Sequence, residues 1–291
     1  MLDLLIELGL ASPDTVRPYA DRCRDKEIPV FIDSASGVIF LQEQKDVAYY
    51  SDKEVENDGY ESRSVTELGE IKTETLDDSD RRFQQFRHLT RAKTVCDFGT
   101  GHGLYLDLIL PDSKLICGVE PNRQAQQSIR ARLGPDVMLA GSIDDVDASF
   151  DVITCFHVLE HLHQPIAALR AMKQRLAPGG VLVVEVPHAN NFLLKQLDSE
   201  PFRKFTLWSE HLILHTRNSL ERFLNAGGFS QVTIQGFQRY GLENQLYWLK
   251  EGKPGGHKHW AELRNEPLNN AFGAFLNEID QTDTLIALAR P

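Results

Sequence analysis

The 291-residue sequence is poor in cysteine and contains no long apolar run. Its four cysteines are scattered, which excludes a disulfide framework, and three of them fall in apolar runs that resemble buried strands. No run approaches the roughly 20 apolar residues of a membrane-spanning helix. The N-terminal segment carries Asp3 and Glu7 without a basic flank, unlike a signal peptide. These absences predict a cytoplasmic protein with no membrane span.

Basic residues are also scarce relative to acidic ones, and the formal net charge is −11. Between Asp46 and Asp80 there are 12 acids and 3 bases, which we interpret as a solvated, loop-rich surface. A protein with this charge has no general attraction for a phosphate backbone. We therefore expect no nucleic-acid partner.

From residue 94 onward, short apolar runs alternate with amphipathic helical segments. The runs are TVCDFG, LICGVE, VMLAG, FDVITCF and VLVVEVP, at 94–99, 115–120, 137–141, 150–156 and 181–187. Such alternation is typical of a parallel sheet covered by helices on both faces. Two later runs, 230–238 and 283–290, predict edge strands, with the last strand inserted beside the fifth. The predicted fold class is a doubly wound α/β fold with a mostly parallel, seven-stranded sheet.

The rest of the chain suggests how the domains are divided. Residues 1–76 predict an N-terminal extension with a leading helix, small β elements in PVFIDSASGVIFLQ and an acidic linker. Residues 77–291 predict one α/β domain, in which LAPGG at 176–180 marks a sharp helix stop. Within it, residues 240–282 combine helical spacing with aromatic residues and glycines, a composition that fits a cap insertion over a ligand.

A glycine-rich loop follows the first strand of this alternation and opens a helix. Its sequence is Asp97-Phe98-Gly99-Thr100-Gly101-His102-Gly103. Glycine lets the backbone approach a ligand closely, and a helix N-terminus favours negative charge. The second strand ends at Glu120, which is placed to accept hydrogen bonds from two ribose hydroxyls. Together these features predict a nucleotide site.

Two residues distinguish this loop from a dinucleotide-binding loop. Leu104 stands where that fingerprint requires its third glycine, and Asp97 suits a cationic amino acid group better than a pyrophosphate. The loop resembles motif I of the class I S-adenosylmethionine-dependent methyltransferases. The resemblance continues through GVEPN, SFDVITCFHVLEHLHQP and LAPGGVLVVEVP, and is closest to the small-molecule branch with ubiquinone-pathway and sugar methyltransferases. A doubly wound domain that binds another nucleotide, or none, is the alternative.

The resemblance implies a Rossmann-like fold with S-adenosyl-L-methionine as the cofactor. It implies that Asp97, Gly99 and Gly101 hold the methionine part, that Glu120 holds the ribose, and that Ile143 faces the adenine. The complete set of predicted cofactor-binding residues is Asp97, Gly99, Thr100, Gly101, Gly103, Glu120, Pro121, Ser142, Ile143, Phe156 and His157.

The adenine end of this set departs from the family pattern. Where the family often has an acid for the adenine amino group, this chain has Gly141-Ser142-Ile143, so Ser142 or the backbone is expected to make that contact. At the other end, the resemblance places Phe156 and His157 near the methyl donor.

Residues 157–161 match the H-x-x-E-H spacing of one class of zinc peptidases. That metal site needs both histidines on one helical face, whereas His157 directly follows a strand and is expected in a strand-to-helix turn. The segment also matches the methyltransferase family, in which an EH pair is common without metal, and no third ligand follows at helix spacing. We therefore predict no metal site here.

A second segment, Trp208-Ser209-Glu210-His211-Leu212, supplies candidates for catalysis. It resembles a segment of deoxysugar C-methyltransferases in which the histidine is proposed to take a proton. A general base assists methyl transfer to a hydroxyl or an acidic C–H. His211 is therefore the candidate base, with Glu210 as its partner and His157 as the next candidate. Alternatively, Glu210 and His211 anchor the following segment or position the substrate.

Two basic runs have two interpretations, either solvated helix faces or an anion-binding rim for a phosphorylated or nucleotide-linked acceptor. The residues are Arg81, Arg82, Arg87, His88 and Arg91 in one run, and Arg203, Lys204 and Arg217 in the other.

The sequence predicts an enzyme that methylates a small-molecule acceptor. The favoured acceptor is a sugar or nucleotide-sugar of polysaccharide or secondary-metabolite biosynthesis. The alternatives are O-methylation of a quinone or lipid-like aromatic, methylation of a protein, and a non-catalytic methyltransferase-like binding protein. The intact glycine loop and Glu120 favour an enzyme.

Overall fold

The computed structural model describes residues 1–41 and 73–291, with the backbone alone at 73–76. The α-helices are α1 (Leu2–Glu7), α2 (Thr73–Thr90), α3 (Leu104–Ile109), α4 (Arg123–Leu133), α5 (Pro165–Gln174), α6 (Phe192–Lys195), α7 (Glu200–Thr206), α8 (Arg217–Ala226), α9 (Leu242–Glu251), α10 (Gly256–His259) and α11 (Glu266–Glu278). Short 3₁₀ turns cover Ile143–Asp145, Leu159–His161 and Ala261–Leu263.

The strands alternate with these helices over much of the chain. They are β1 (Val16–Ala20), β2 (Val30–Asp33), β3 (Ile39–Leu41), β4 (Thr94–Phe98), β5 (Leu115–Val119), β6 (Met138–Ala140), β7 (Phe150–Phe156), β8 (Leu176–Pro187), β9 (Ile213–Leu214), β10 (Gln231–Phe237) and β11 (Thr284–Arg290).

The larger sheet has seven strands in the order β10-β11-β8-β7-β4-β5-β6. Strand β4 pairs in parallel with both β5 and β7, and β5 pairs in parallel with β6. Its inner strands β4, β5 and β7 are mostly apolar and buried, as Val95, Cys96 and Ile153 are, which is typical of a parallel sheet covered on both faces. The predicted fold class is confirmed, as is the insertion of β11 beside β8.

Strand β8 begins earlier than the sequence predicts. Helix α5 ends at Gln174, as the predicted helix stop requires, but LAPGG belongs to the strand rather than to a loop. Gly180 allows this close pairing, since a Cβ there would lie 3.0 Å from the carbonyl oxygen of Phe150.

A smaller antiparallel sheet has the order β1-β2-β3-β9. Strands β2 and β3 confirm the two strands predicted in PVFIDSASGVIFLQ. No sequence pattern predicts β1, which contains Pro18, or β9, which is too short to show a period. Buried residues of this region come from distant parts of the chain, as with Val30 and Ile39 beside Leu207 and Leu214.

The chain divides into two compact units. Among the described residues, the first unit contains 1–41, 157–169 and 184–289, and the second contains 73–156, 170–183 and 290–291. The boundary predicted at residues 76 and 77 stays a prediction, and the acidic stretch of residues 46–80 lies largely outside the described residues.

All four cysteines are buried and free, in keeping with the scattered pattern in the sequence. Within residues 1–41 and 73–291, no helix has both the length and the apolar character needed to cross a membrane.

Candidate functional site

The glycine loop of the second unit has a backbone that favours glycine. Gly99, Gly101 and Gly103 have φ angles of 76°, 58° and 72°. Gly103 also lies against α4, where a Cβ would stand 2.7 Å from Cγ1 of Ile129. The loop therefore keeps its shape and its close packing only with glycine at these positions.

Glu120 is buried at the end of β5 and binds this loop. Its Oε2 accepts a hydrogen bond from the backbone N–H of Gly101 at 2.9 Å, and its Oε1 accepts one from the N–H of Asn122 at 2.9 Å. A carboxylate has further lone pairs on both oxygens, so it can also accept hydrogen bonds from ribose hydroxyls. The structure thus brings Gly101 and Glu120 together, as predicted.

Asp97 lies buried at the base of the loop, where its Oδ1 accepts a 2.6 Å hydrogen bond from the hydroxyl of Thr154. Burial raises the pKa of this carboxyl, while the Thr154 hydrogen bond and the charge of Arg82 oppose the rise. A cationic amino group placed beside Asp97 would favour its ionised form. The site therefore suits the methionine ammonium of S-adenosyl-L-methionine.

Phe156, at the end of β7, lies in an aromatic cluster. Its ring stacks on Phe86 at 5.6 Å and meets Tyr105 edge-on at 5.2 Å, while Cζ of Arg82 lies 4.8 Å from its centroid. Sequence analysis did not assign Arg82 or Phe86 to this site. Arg82 and Phe86 are four positions apart and so lie on one face of α2. This spacing is the sequence signal that could have identified them.

The remaining predicted cofactor residues have varied environments. Thr100 is buried, whereas Pro121 is exposed. The hydroxyl of Ser142 accepts the backbone N–H of Asp144 at 3.2 Å, and the side chain of Ile143 is buried. Their predicted contacts with the adenine stay predictions.

Gly118 in β5 is a further residue that sequence analysis missed. A Cβ there would lie 2.8 Å from Cδ1 of Leu106 and 2.9 Å from Cγ2 of Thr100. The available signal was a lone glycine inside an apolar strand, which often marks a close approach of other atoms.

In the first unit, His157 is fixed between two buried carboxylates. Its φ angle is 54°, and its backbone N–H donates to the carbonyl oxygen of Glu185 at 2.8 Å. Nδ1 of its ring lies 3.1 Å from Oε1 of Glu160, and Nε2 lies 3.1 Å from Oε1 of Glu185. His157 thus occupies the predicted turn, although the turn leads into a 3₁₀ segment rather than an α-helix.

These contacts determine the charge of the ring. Burial lowers the pKa of His157, but its hydrogen bonds to Glu160 and Glu185 outweigh burial, so the pKa is raised despite the opposing Arg239. Burial raises the pKa of Glu160, but the His157 hydrogen bond and the charges of nearby histidines outweigh burial and lower this pKa to about 2. Two carboxylates beside one imidazole favour its protonated form, so these contacts suit a positioning role for His157 better than that of a general base.

Arg239 and Asp283 extend this ion-pair group. Nη1 of Arg239 lies 3.2 Å from Nε2 of His157. The carboxylate of Asp283 accepts the backbone N–H of Arg239 at 3.0 Å and the side-chain amide of Gln238 at 2.8 Å. Sequence analysis missed both residues, since only packing brings them to His157. Asp283 therefore fixes the chain just before the 240–282 segment.

A second cluster joins the two histidine-containing motifs of the first unit. Nδ1 of His161 lies 2.7 Å from the carbonyl oxygen of Glu210, and the rings of His161 and His211 are 5.0 Å apart. The ring of Trp208 lies 5.3 Å from that of His211. His211 is thus held among other rings, while the catalytic roles of His211, Glu210 and His157 stay predictions.

The basic runs are mostly neutralised by neighbouring acids. The pairs are Arg81 with Asp78, Arg87 with Asp112, Arg203 with Asp198, Lys204 with Glu200, and Arg217 with Asp280. These pairs favour solvated faces over an anion-binding rim.

Comparison with known proteins is consistent with this site. A family model described as a methyltransferase domain matches residues 72–234. The tRNA U34 carboxymethyltransferase of Campylobacter concisus is 25% identical over 70% of this chain and 68% of that protein. The ubiquinone biosynthesis O-methyltransferase of Psychrobacter arcticus is 30% identical over 55% of this chain and 67% of that protein.

Other matches are more partial. The chain spans 44% and 37% of the length of relatives from Mycolicibacterium smegmatis and Desulfotalea psychrophila. Among solved structures, a SAM-dependent methyltransferase from Archaeoglobus fulgidus shares the fold with a TM-score of 0.51 and 17% identity, over 73% of this chain and 93% of that one. Because the family model spans more than half of the chain, the protein belongs to the class I S-adenosylmethionine-dependent methyltransferases, and S-adenosyl-L-methionine is its cofactor.

Proposed function

We propose that the enzyme transfers a methyl group from S-adenosyl-L-methionine to a small, hydroxylated acceptor, with a sugar or nucleotide-sugar as the favoured class. The observation that supports the methyl-donor half is the 2.9 Å hydrogen bond between the Gly101 N–H and Glu120, which holds the glycine loop against the acid that is predicted to bind the ribose. Methyl transfer from a sulfonium is an in-line displacement, so positioning of the two reactants supplies much of the rate.

The surroundings of Trp208 support a hydroxylated ring as the acceptor. Cζ of Arg24 lies 4.8 Å from the Trp208 ring, and the edges of His161 and His211 meet that ring nearly perpendicularly. An aromatic ring beside several hydrogen-bonding groups suits a ring with polar substituents. Within this proposal His211 is the residue that accepts the acceptor's proton.

A quinone or lipid-like aromatic is the second candidate acceptor. The Psychrobacter relative is described as a ubiquinone biosynthesis O-methyltransferase. The 240–282 segment also exposes large apolar side chains, among them Leu246, Leu249, Leu268 and Phe275. Such a surface suits an apolar tail on the acceptor. The tRNA U34 carboxymethyltransferase relative names a third class, against which the net charge of −11 argues.

A panel of acceptors tests this proposal. The protein is incubated with methyl-labelled S-adenosylmethionine and, separately, nucleotide-sugars, hydroxylated quinones and bulk tRNA, and label transfer is followed by mass spectrometry. We expect a methylated nucleotide-sugar, and a Glu120→Ala variant should transfer the methyl group more slowly when S-adenosylmethionine is limiting. Transfer only to the quinone selects the second candidate, and transfer only to tRNA overturns the small-molecule proposal.

A further inference from the structure

The side chains of Glu160, His161 and His211 form a compact group of donor atoms in the first unit. One possible ligand atom from each residue lies within 4.8 Å of those of the other two. Glu160 is fully buried, and within the described part of the chain its Oε2 has no hydrogen-bond partner. An unpaired buried carboxylate oxygen is costly, so a cation at this position would offset that cost.

His161 is held in the tautomer that a metal ligand requires. The carbonyl oxygen of Glu210 only accepts hydrogen bonds, so Nδ1 of His161, 2.7 Å away, carries the hydrogen. In the neutral ring the lone pair then lies on Nε2, which is 3.9 Å from Oε1 of Glu160. Metal-ligating histidines commonly donate their other N–H to a backbone carbonyl in this way.

We propose that Glu160, His161 and His211 bind a divalent transition metal of the zinc type. Two imidazoles and one carboxylate form the donor set of many catalytic zinc sites, which keep a fourth position open. Ligand atoms around tetrahedral zinc are about 3.3 Å apart. The corresponding atoms of Glu160, His161 and His211 lie within 4.8 Å of one another, so modest side-chain rotations would bring them to this separation. Mg²⁺ and Ca²⁺ prefer oxygen ligands and fit it less well.

This ligand set differs from the zinc-peptidase pattern, which uses both histidines of the H-x-x-E-H motif. His157 is engaged by Glu160 and Glu185 and takes no part. His211 takes its place from a segment 50 positions further along the chain than His161. The sequence-based prediction of no metal considers only ligands at helix spacing. His211 does not lie at that spacing, so it does not enter that prediction.

An open metal position has a consequence for the reaction, and this consequence alone rests on the proposed function. A hydroxyl of the acceptor that binds the metal has a lowered pKa, so it loses its proton more readily. In the metal-bound form His211 would be a ligand rather than the base, and the proton of the acceptor hydroxyl would pass to a water molecule.

Cobalt binding tests the site independently of activity. Protein purified without a histidine tag is stripped with a chelator and titrated with Co²⁺, whose visible absorption reports a site of low coordination number, and Zn²⁺ competition gives the affinity. We expect a single equivalent to bind. His211→Gln should weaken binding by more than about 100-fold, since changes beyond the ligands themselves already cost about 10- to 100-fold.

Two further variants make the test specific. His163→Gln changes an exposed histidine in the same segment and should bind Co²⁺ like the unmodified protein. Glu160→Gln should also lose the metal, and thermal unfolding reports whether it folds. If it does not fold, the partly exposed His211 decides the outcome.

The outcomes separate this inference from the proposed function. Absence of Co²⁺ binding, or equal binding by the His211 variant, overturns the metal site even if methyl transfer proceeds. Co²⁺ binding that is lost in the His211 variant supports the site even if no tested acceptor is methylated. Calorimetry with S-adenosylmethionine should give equal affinity for the unmodified, His163→Gln and His211→Gln proteins.

Discussion

Nδ1 of His161 lies 2.7 Å from the carbonyl oxygen of Glu210, although 49 positions separate the two residues. This hydrogen bond joins the H-x-x-E-H motif to the Trp208–Leu212 segment. Because it fixes the hydrogen on Nδ1, it also determines which ring nitrogen of His161 faces Glu160. The backbone carbonyl of Glu210 therefore orients the ring of His161. The sequence predicts a different role, in which Glu210 is the partner of His211.

Replacing Glu120 with alanine should weaken binding of S-adenosylmethionine and of its demethylated product. Loss of an acceptor for two ribose hydroxyls costs about 1–3 kcal/mol, or roughly 5- to 150-fold in affinity. Loss of the 2.9 Å hydrogen bond to Gly101 also loosens the loop. Calorimetry measures both affinities, and Asp136→Ala, which removes an exposed acid, is the control. Unchanged affinity for Glu120→Ala would remove this residue from the cofactor site.

Replacing His157 with leucine should destabilise the fold. The change leaves Glu160 and Glu185 as buried charges without their imidazolium, which costs about 3–5 kcal/mol. Because the folded pKa of His157 is raised, its contribution is fully present below the unfolded pKa of about 6.5 and is lost as pH rises through the folded pKa. The deficit should therefore shrink at alkaline pH.

Urea unfolding at several pH values measures this deficit. His163→Leu, an exposed histidine in the same segment, should change stability little at any pH. A His157→Leu protein as stable as the unmodified one would show that His157 is not the cation between the two carboxylates.

The large sheet and the cofactor loop could be predicted from the sequence because their signals are local. An apolar run followed by a glycine turn specifies both β4 and the loop, and Glu120 ends the next run. Glycine at positions 99, 101 and 103 follows from the positive φ angles that the turn requires. Local sequence signals therefore placed the glycine loop beside Glu120, while the roles of these residues toward the methyl donor stay predictions.

The other features depend on pairings that no local pattern records. Strand β9 is two residues long and exists because Leu214 pairs with Ile39. The Arg239–His157 contact spans 82 positions. His211 lies near Glu160 only in the folded protein, so the spacing of the H-x-x-E-H motif could not predict the proposed metal-ligand group. Charges that pair over such distances are fixed by tertiary packing rather than by sequence spacing.

The 240–282 segment should become more ordered over the acceptor. Gly252 and Gly255 have φ angles of 64° and 116°, which allow the chain to bend between α9 and α10, while Asp283 fixes the backbone just before the segment. Hydrogen exchange should slow in this segment when product cofactor and acceptor bind together. Peptides from the well-packed α8 serve as the internal control. Equal exchange with and without ligands would make the segment a structural insertion only.

Acidification should destabilise the protein partly through His215. This ring is fully buried and burial lowers its pKa to about 4, while the charge of Glu160 opposes the shift. The unfolded chain binds the proton near pH 6.5, so stability falls by about 1.4 kcal/mol per pH unit between about 6.5 and 4. His215→Asn should flatten this slope in urea unfolding, whereas the exposed His88→Asn should not. An unchanged slope in the His215 variant would assign the acid sensitivity to other groups.

Replacing His211 with alanine should lower turnover by about 10²- to 10⁴-fold while cofactor affinity stays nearly constant. The expected loss is the same whether His211 takes the acceptor's proton directly or holds the metal that lowers the acceptor's pKa. Its ring lies 5.0 Å from that of His161 and 5.3 Å from that of Trp208, so its removal changes the packing of these rings in the first unit. If the imidazole is the base, the plot of turnover against pH should lose one limb in the His211→Ala protein.

Chelation separates the two roles of His211. If turnover persists after the protein is stripped of metal, and His211→Ala still removes it, the imidazole acts as the base. If stripping removes turnover and Zn²⁺ restores it only in the unmodified protein, His211 acts as a ligand. A His211→Ala protein that keeps its rate but unfolds at lower urea would instead make the histidine an anchor, held by its contacts with His161 and Trp208.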